Sequence, residues 1–283
     1  MHSFKYGVIT DSFRCDFASA VKKAVALGAD GVQTYCTNGE ISADNLNDTK
    51  IAELLDTVKS SGMVFSAICA DFGQGFGDRD KNSALIDKSK RVMEIAKKLE
   101  CNIVTTHIGV VPDDESHDRY KVMQEACYSL AEFADGMGAH FAVETGPEKS
   151  AVLKKFLDSL GSKGVAVNLD PANLVMVVGD DPVQAVYNLR DYIVHTHAKD
   201  GIMLKKSNPE YIYNVTHPIP EEYSRGGFFS EVPLGSGSVD FEKYLAALGD
   251  IGYGGFLTIE RECGDNPEMD INTAMNFLRK ISV

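Results

Sequence analysis

Short runs rich in β-branched and other apolar residues alternate along the whole chain with longer stretches whose apolar positions recur every three or four residues. The short runs, residues 6–10, 31–35, 64–69, 102–107, 140–144, 165–170, 192–197 and 255–260, read as strands, most of them apolar enough to be covered on both faces. Between them, Phe17, Val21, Ala24 and Val25, then Ile51, Leu54, Leu55 and Val58, then Leu153, Phe156, Leu157 and Leu160 each mark one face of a helix. Gly28, Gly62 and Gly161 follow these three as helix-terminating glycines, and a last helix runs through Ala274, Met275, Leu278 and Ile281.

Eight such strand and helix pairs predict an α/β fold with a parallel sheet closed into a TIM (β/α)8 barrel. A doubly wound open sheet would more often carry a glycine-rich phosphate turn after its first strand, where this chain has Asp11-Ser12-Phe13-Arg14. No linker or repeat divides the chain, so residues 1–283 are expected to form a single barrel domain. One long segment breaks the pattern. Residues 201–238, rich in proline and glycine, read as an elaborated loop after strand seven, on the face where such barrels carry their chemistry.

Side chains alternate between barrel interior and helix layer, so each strand end can be tested for parity. With Phe141 and Val143 outward, Glu144 faces in. With Val165, Val167 and Leu169 outward, Asp170 faces in. Tyr192 and Val194 outward leave His195 and His197 inward, and Leu257 and Ile259 outward leave Glu260 inward. Three carboxylates meeting in a barrel mouth repel one another and are costly to desolvate unless a cation compensates them. One divalent metal ion is therefore expected. The oxygen and imidazole donors suit Mn²⁺, Mg²⁺, Co²⁺ or Zn²⁺, and the three carboxylates favour the harder ions, Mn²⁺ first.

Composition narrows the partners. The 283 residues carry a net charge of −13, which disfavours a nucleic-acid backbone as ligand. No run approaches a membrane span and no signal peptide precedes the first strand, so a cytoplasmic protein is expected, with homo-oligomers possible. The six cysteines are scattered without C-x-x-C spacing and read as thiols in a reducing compartment.

The strings Val143-Glu144-Thr145-Gly146, Leu169-Asp170-Pro171-Ala172-Asn173-Leu174, His195-Thr196-His197-Ala198-Lys199-Asp200-Gly201, Pro233-Leu234-Gly235-Ser236-Gly237-Ser238-Val239-Asp240-Phe241 and Thr258-Ile259-Glu260 resemble the sugar phosphate isomerase/epimerase family, with its xylose isomerase-like barrel. The resemblance covers nearly the whole chain and implies metal ligands at Glu144, Asp170, His197 and Glu260. It implies a small-molecule carbohydrate as substrate and places Lys199 against it, and His107 against the substrate or a second metal. Two departures stand out. Asn173 replaces a frequent histidine and Gln33 a frequent glutamate, each removing a titratable group. The segment 201–238 offers His217 but not the Asp-x-His pair of the endonuclease relatives, which argues against DNA repair.

The expected reaction is metal-dependent isomerisation or epimerisation of a sugar, sugar phosphate or inosose through an enediolate, with Glu144 and Glu260 as the acid/base pair. Dehydration or lysis of a keto-sugar, and a non-catalytic carbohydrate-binding role, are the alternatives. His107, Asn173, Lys199 and Arg225 are the expected substrate contacts, Arg225 from an aromatic loop tip that also holds Tyr223 and Phe228. His195 is expected to support the site from beneath. His2, His140 and His217 are expected to be structural or solvated, and Glu148 and Glu262 to be solvated loop carboxylates.

Overall fold

The computed structural model describes residues 4–282. Eight parallel strands form a closed barrel: β1 (Lys5–Ile9), β2 (Gly31–Tyr35), β3 (Val64–Cys69), β4 (Ile103–Thr106), β5 (His140–Glu144), β6 (Val165–Leu169), β7 (Ile193–Ala198) and, closing against β1, β10 (Phe256–Ile259). The expected strands are present to within one residue at either end. Among the described residues no helix is long and apolar enough to cross a membrane. His2 lies outside the described residues.

The outward parity class makes the core. Val8, Val32, Ile68, Val104, Phe141, Val143, Val167, Leu169, Leu257 and Ile259 are all buried against helices such as Phe17–Ala26, Ser150–Leu160 and Pro267–Ile281. Gly28, Gly62 and Gly161 take positive φ at the ends of their helices, as expected. Helix starts are set by side-chain caps: Asp16, Asn47, Asp78, Asp181, Asp240 and Asn266 each accept a hydrogen bond from a first-turn backbone N–H.

The inward class is polar to an unusual depth. Gln33, Ser66, Thr105, Asn168, His195 and Thr258 are all buried inside the barrel, beneath the strand ends. The ladder shifts register between Val32 and Gln33 on β2 and between Val167 and Asn168 on β6. In each the extra residue lies on the partner strand, Ser66 on β3 and Val194 on β7, across from an interior amide.

The segment 201–238 is more ordered than a loop. β8 (Asp200–Met203) pairs antiparallel with β9 (Phe229–Val232), and two short helical turns, Pro209–Ile212 and Glu221–Ser224, lie between them. Two buried ionic anchors fix this hairpin to the barrel rim. Asp200 accepts the backbone N–H groups of Gly201 (2.9 Å), Gly235 (3.0 Å), Gly237 (2.8 Å) and Val239 (3.2 Å). Arg261, just past β10, bonds Glu231 of β9 at 2.5 Å and Asp270 at 2.8 Å.

Replacing Asp200 with alanine strands these four donors, of which those of Gly201 and Val239 bond the carboxylate in buried surroundings. The expected cost is about 1–3 kcal/mol of stability in urea denaturation. An unchanged midpoint would show that the hairpin is held by something else.

Candidate metal centre and its surroundings

Each strand end delivers its polar residue by a local device. Thr145 locks β5 to β6, its hydroxyl donating to the Asp170 carbonyl (2.9 Å) and accepting from the Asp170 N–H (2.8 Å). Asp170 then caps the turn that follows, accepting from the Asn173 N–H through Oδ1 at 2.8 Å. Its other oxygen, Oδ2, is buried without a hydrogen-bond partner. Gly146 has φ +133° and lies so close to Asn173 that a Cβ there would come within 2.4 Å of the Asn173 Cβ.

Glu144, Asp170, His197 and Glu260, all buried, bring one ligand atom each to within 4.8 Å of one another. His197 Nδ1 is at the centre, 3.6 Å from Glu144 Oε1, 3.4 Å from Asp170 Oδ2 and 3.3 Å from Glu260 Oε2. This hard, mixed donor set, with one carboxylate oxygen left orphaned inside it, could hold a divalent metal ion.

The electrostatics show how the site copes with three buried acids. Burial opposes ionisation of Glu144, but His107 and His197 outweigh it and hold the carboxyl below its usual range. For Glu260 burial is likewise overcome, by Lys199 and His197, and the carboxyl falls well below its usual range. Burial prevails at Asp170 and raises its pKa. Burial would lower His197, yet Glu260 and Glu144 drive it well above the ordinary imidazole value.

Neutral amides fix Glu144 from below and beside. Asn168 Nδ2 donates to Oε2 and Asn173 Nδ2 to Oε1, both at 3.1 Å. Asn168 is itself held by His195, whose Nδ1–H donates to Asn168 Oδ1 at 2.8 Å while its Nε2 accepts from the Thr258 hydroxyl at 2.8 Å. Burial, with the charge on His197 nearby, keeps His195 well below the usual imidazole pKa and hence neutral.

His107, at the end of β4, stands beside the cluster. Its Nδ1 bonds Asp71 at 3.0 Å, and Nε2, buried without a hydrogen bond, lies 3.6 Å from Glu144 Oε1. Burial would lower its pKa, but Glu144 and Asp71 push it up to about 9. Lys199 is buried and bonds Glu260 Oε2 at 3.0 Å as well as Glu262. Two cavities flank the cluster. One of about 250 Å³ is lined by Asp71, His107 and Tyr213, and one of about 300 Å³ by Tyr35, Arg14, Glu260 and Glu262.

Other expectations on this face fare differently. Arg225 is exposed and pairs with Glu221 at 2.6 Å, outside the cluster. Phe228 is buried within its own segment, stacked on Tyr223 with ring centroids 4.2 Å apart. Tyr213 of this segment reaches the site, its ring 5.4 Å from that of His107. Glu148 is not a solvated loop carboxylate: the chain after β4 folds over it, Val111 N–H donates to it at 2.9 Å, and burial pushes its pKa up to about 8. Glu262 is exposed although bonded to Lys199, His217 is exposed, and His140 starts β5 at the opposite end of the strand from Glu144. Tyr213, Asp71 and Glu148 carry no strand periodicity that could have revealed them. Asn168 could have been found, because it shares the inward parity of Asp170.

Gly146→Ala tests the local construction without touching a charged group. The added methyl would press on Asn173 and the Tyr213 hydroxyl, so a loss of about 1–3 kcal/mol is expected from overpacking and backbone strain. A variant as stable as the parent in thermal denaturation would contradict this packing.

A family model described as the xylose isomerase-like TIM barrel matches residues 21–281. A Haemophilus influenzae protein provisionally named L-ribulose-5-phosphate 3-epimerase is 24% identical over 253 residues, covering 86% of this chain and 82% of that protein. Among solved structures, a xylose isomerase domain protein from Planctomyces limnophilus superposes with a TM-score of 0.79 at 23% identity, over 99% of this chain and 97% of that one. The D-psicose 3-epimerase of Clostridium cellulolyticum H10, solved with D-tagatose, gives 0.73 at 15% identity over 99% of each chain. With a closed eight-stranded parallel barrel and a family match over most of its length, the chain belongs to the xylose isomerase-like TIM barrel family.

Proposed function

We propose that the protein is a divalent-metal-dependent isomerase or epimerase of a small sugar or sugar derivative. The observation that carries this reading is the convergence of Glu144, Asp170, His197 and Glu260 on one buried point at the barrel mouth, with Asp170 Oδ2 unpartnered there. The name of the Haemophilus influenzae relative supports an epimerase. These four residues would hold the ion, with Mn²⁺ the favoured identity. Once bound, the ion supplies Lewis-acid stabilisation of the negative charge that grows on a carbonyl oxygen as the adjacent carbon is deprotonated.

The chain's own residues supply the rest. Glu144 and Glu260 rise from β5 and β10, which β6 and β7 separate in the barrel, so they reach the mouth from different sides. They are the proposed proton-exchanging pair, removing a proton from one face of the substrate carbon and returning one to the other. Asn168 and Asn173 orient the Glu144 carboxylate, and Lys199 orients that of Glu260. His107 and Lys199, beside these carboxylates, and Asn173 at the Glu144 edge are the proposed substrate contacts. Tyr213, with its ring 5.4 Å from that of His107, would wall the His107 side of a bound substrate. Arg225, exposed on the segment surface, has no part in this scheme.

The Asp71–His107 pair favours a second reading. An imidazolium held beside Glu144 could protonate a departing β-hydroxyl, which would make the reaction a dehydration from the same enediolate.

Solvent-deuterium exchange distinguishes these readings. Incubated with Mn²⁺ and a panel of ketoses in D₂O, the protein is expected to incorporate deuterium at the carbon next to the carbonyl. Glu144→Gln and Glu260→Gln, each confirmed to hold metal, should lose at least ~10²-fold in exchange rate. Near-normal exchange in metal-loaded Glu260→Gln would move its role to another group, His107 first. Loss of water from the substrate would select the dehydratase reading.

A further inference from the structure

A histidine offers a metal one nitrogen only if the other is told to keep its proton, and the group that does so usually lies just behind the ring. We propose that Gln33 is this positioning residue. Its side-chain oxygen holds His197 in the Nε2–H tautomer, so that Nδ1 presents its lone pair to the point shared by Glu144, Asp170 and Glu260. The inference rests on the metal reading of the site given above.

The geometry is specific. Gln33 Oε1 lies 3.1 Å from His197 Nε2, and an amide oxygen can only accept, so the proton belongs to Nε2. The other end of the amide is held on β4, its Nε2 donating to Thr105 Oγ1 at 3.3 Å. Gln33 is buried, and it lies opposite the register shift between β2 and β3, where Ser66 of β3 is the extra residue. Across the ring, Nδ1 faces the three carboxylates at 3.3–3.6 Å.

One other donor approaches His197 and does not compete. Asn168 Nδ2 is 3.2 Å from Nε2 and 3.5 Å from Nδ1. A donor lying in the ring plane on the Nε2 lone pair would be much farther from Nδ1 than from Nε2. Near-equal distances place this amide over the ring face, where it touches the π surface and claims neither lone pair.

Glutamine achieves this without charge. A glutamate at position 33 could accept the same hydrogen bond but would add a fourth carboxylate to a cluster that already buries three. Asn173 has the same character, donating to Glu144 as a neutral amide. The two positions that depart from the family pattern therefore serve as uncharged braces, one for the histidine and one for a glutamate.

The test uses the full chain, with Mn²⁺ as the probe. Free Mn²⁺ is counted by electron paramagnetic resonance for the parent, Gln33→Met, Gln33→Glu and His197→Ala, each first checked for native circular dichroism. Gln33→Met keeps the bulk and loses the acceptor, and it should weaken Mn²⁺ binding by about 10- to 100-fold. Gln33→Glu restores the acceptor and should bind within a few-fold of the parent or more tightly. In the Zn²⁺-loaded, ¹⁵N-histidine-labelled parent, His197 should show a proton on Nε2 and none on Nδ1, and in Gln33→Met that Nε2 proton should exchange faster with solvent. Parent-like affinity in Gln33→Met, or a proton on Nδ1 of the loaded parent, would overturn the role of Gln33 alone. A parent that binds no Mn²⁺, or whose affinity survives His197→Ala, would overturn the metal reading and this role with it.

Discussion

Three carboxylates buried around one histidine set the terms for the rest of this molecule. Burying Glu144, Asp170 and Glu260 in the mouth of the barrel costs several kcal/mol per ion in lost hydration, and their mutual repulsion adds to that cost. Every charged or polar group nearby can be understood as an answer to that constraint. Lys199, itself buried, neutralises Glu260. His107, held positive by Asp71 and Glu144, stands beside Glu144. Glu260 and Glu144 beside it push the His197 imidazole well above its ordinary pKa in spite of burial. Asp170 is the acid left without a bonded partner on one oxygen, and that is where the demand for a further cation is sharpest.

The polar interior layer follows from the same constraint. A barrel filled with aliphatic side chains would give Glu144 and His197 nothing to bond. This one instead runs a chain of neutral donors and acceptors from Ser66 through Thr258, His195 and Asn168 to Glu144, and a second from Thr105 through Gln33 to His197. Each link is satisfied inside the barrel, so the network brings no further charge into a region that already holds several. The two register shifts lie beside this network, with Ser66 of β3 inserted across from Gln33 and Val194 of β7 across from Asn168.

Much of this could be read from the sequence, for a simple reason. Strand parity is a local signal with a period of two, and it survives folding because the backbone imposes it. Once the apolar runs had marked the eight strands, it identified the inward Glu144, Asp170, His197 and Glu260, and applied one step deeper it would have yielded Asn168. Contacts made by loops have no such period. Glu148 reads as a solvated loop residue until the chain after β4 is seen to close over it. The segment 201–238 reads as irregular, whereas Asp200 and Arg261 clamp it into a hairpin through partners tens of residues away. Arg225 and Phe228 look like a lid tip in sequence, yet Arg225 turns to Glu221 and Phe228 to Tyr223, and Tyr213 comes to the site instead. Gln33 looks like the loss of an acid, and its use is evident only once His197 is placed beside it.

The account stands on the claim that a cation completes the carboxylate cluster. Crystals soaked in Mn²⁺ and measured at an energy where manganese scatters anomalously would locate the ion directly. The account predicts a single strong anomalous peak per chain, bonded to Glu144, Asp170, His197 Nδ1 and Glu260. Full soaking with no peak among these four residues, or the principal peak at another site, would contradict it.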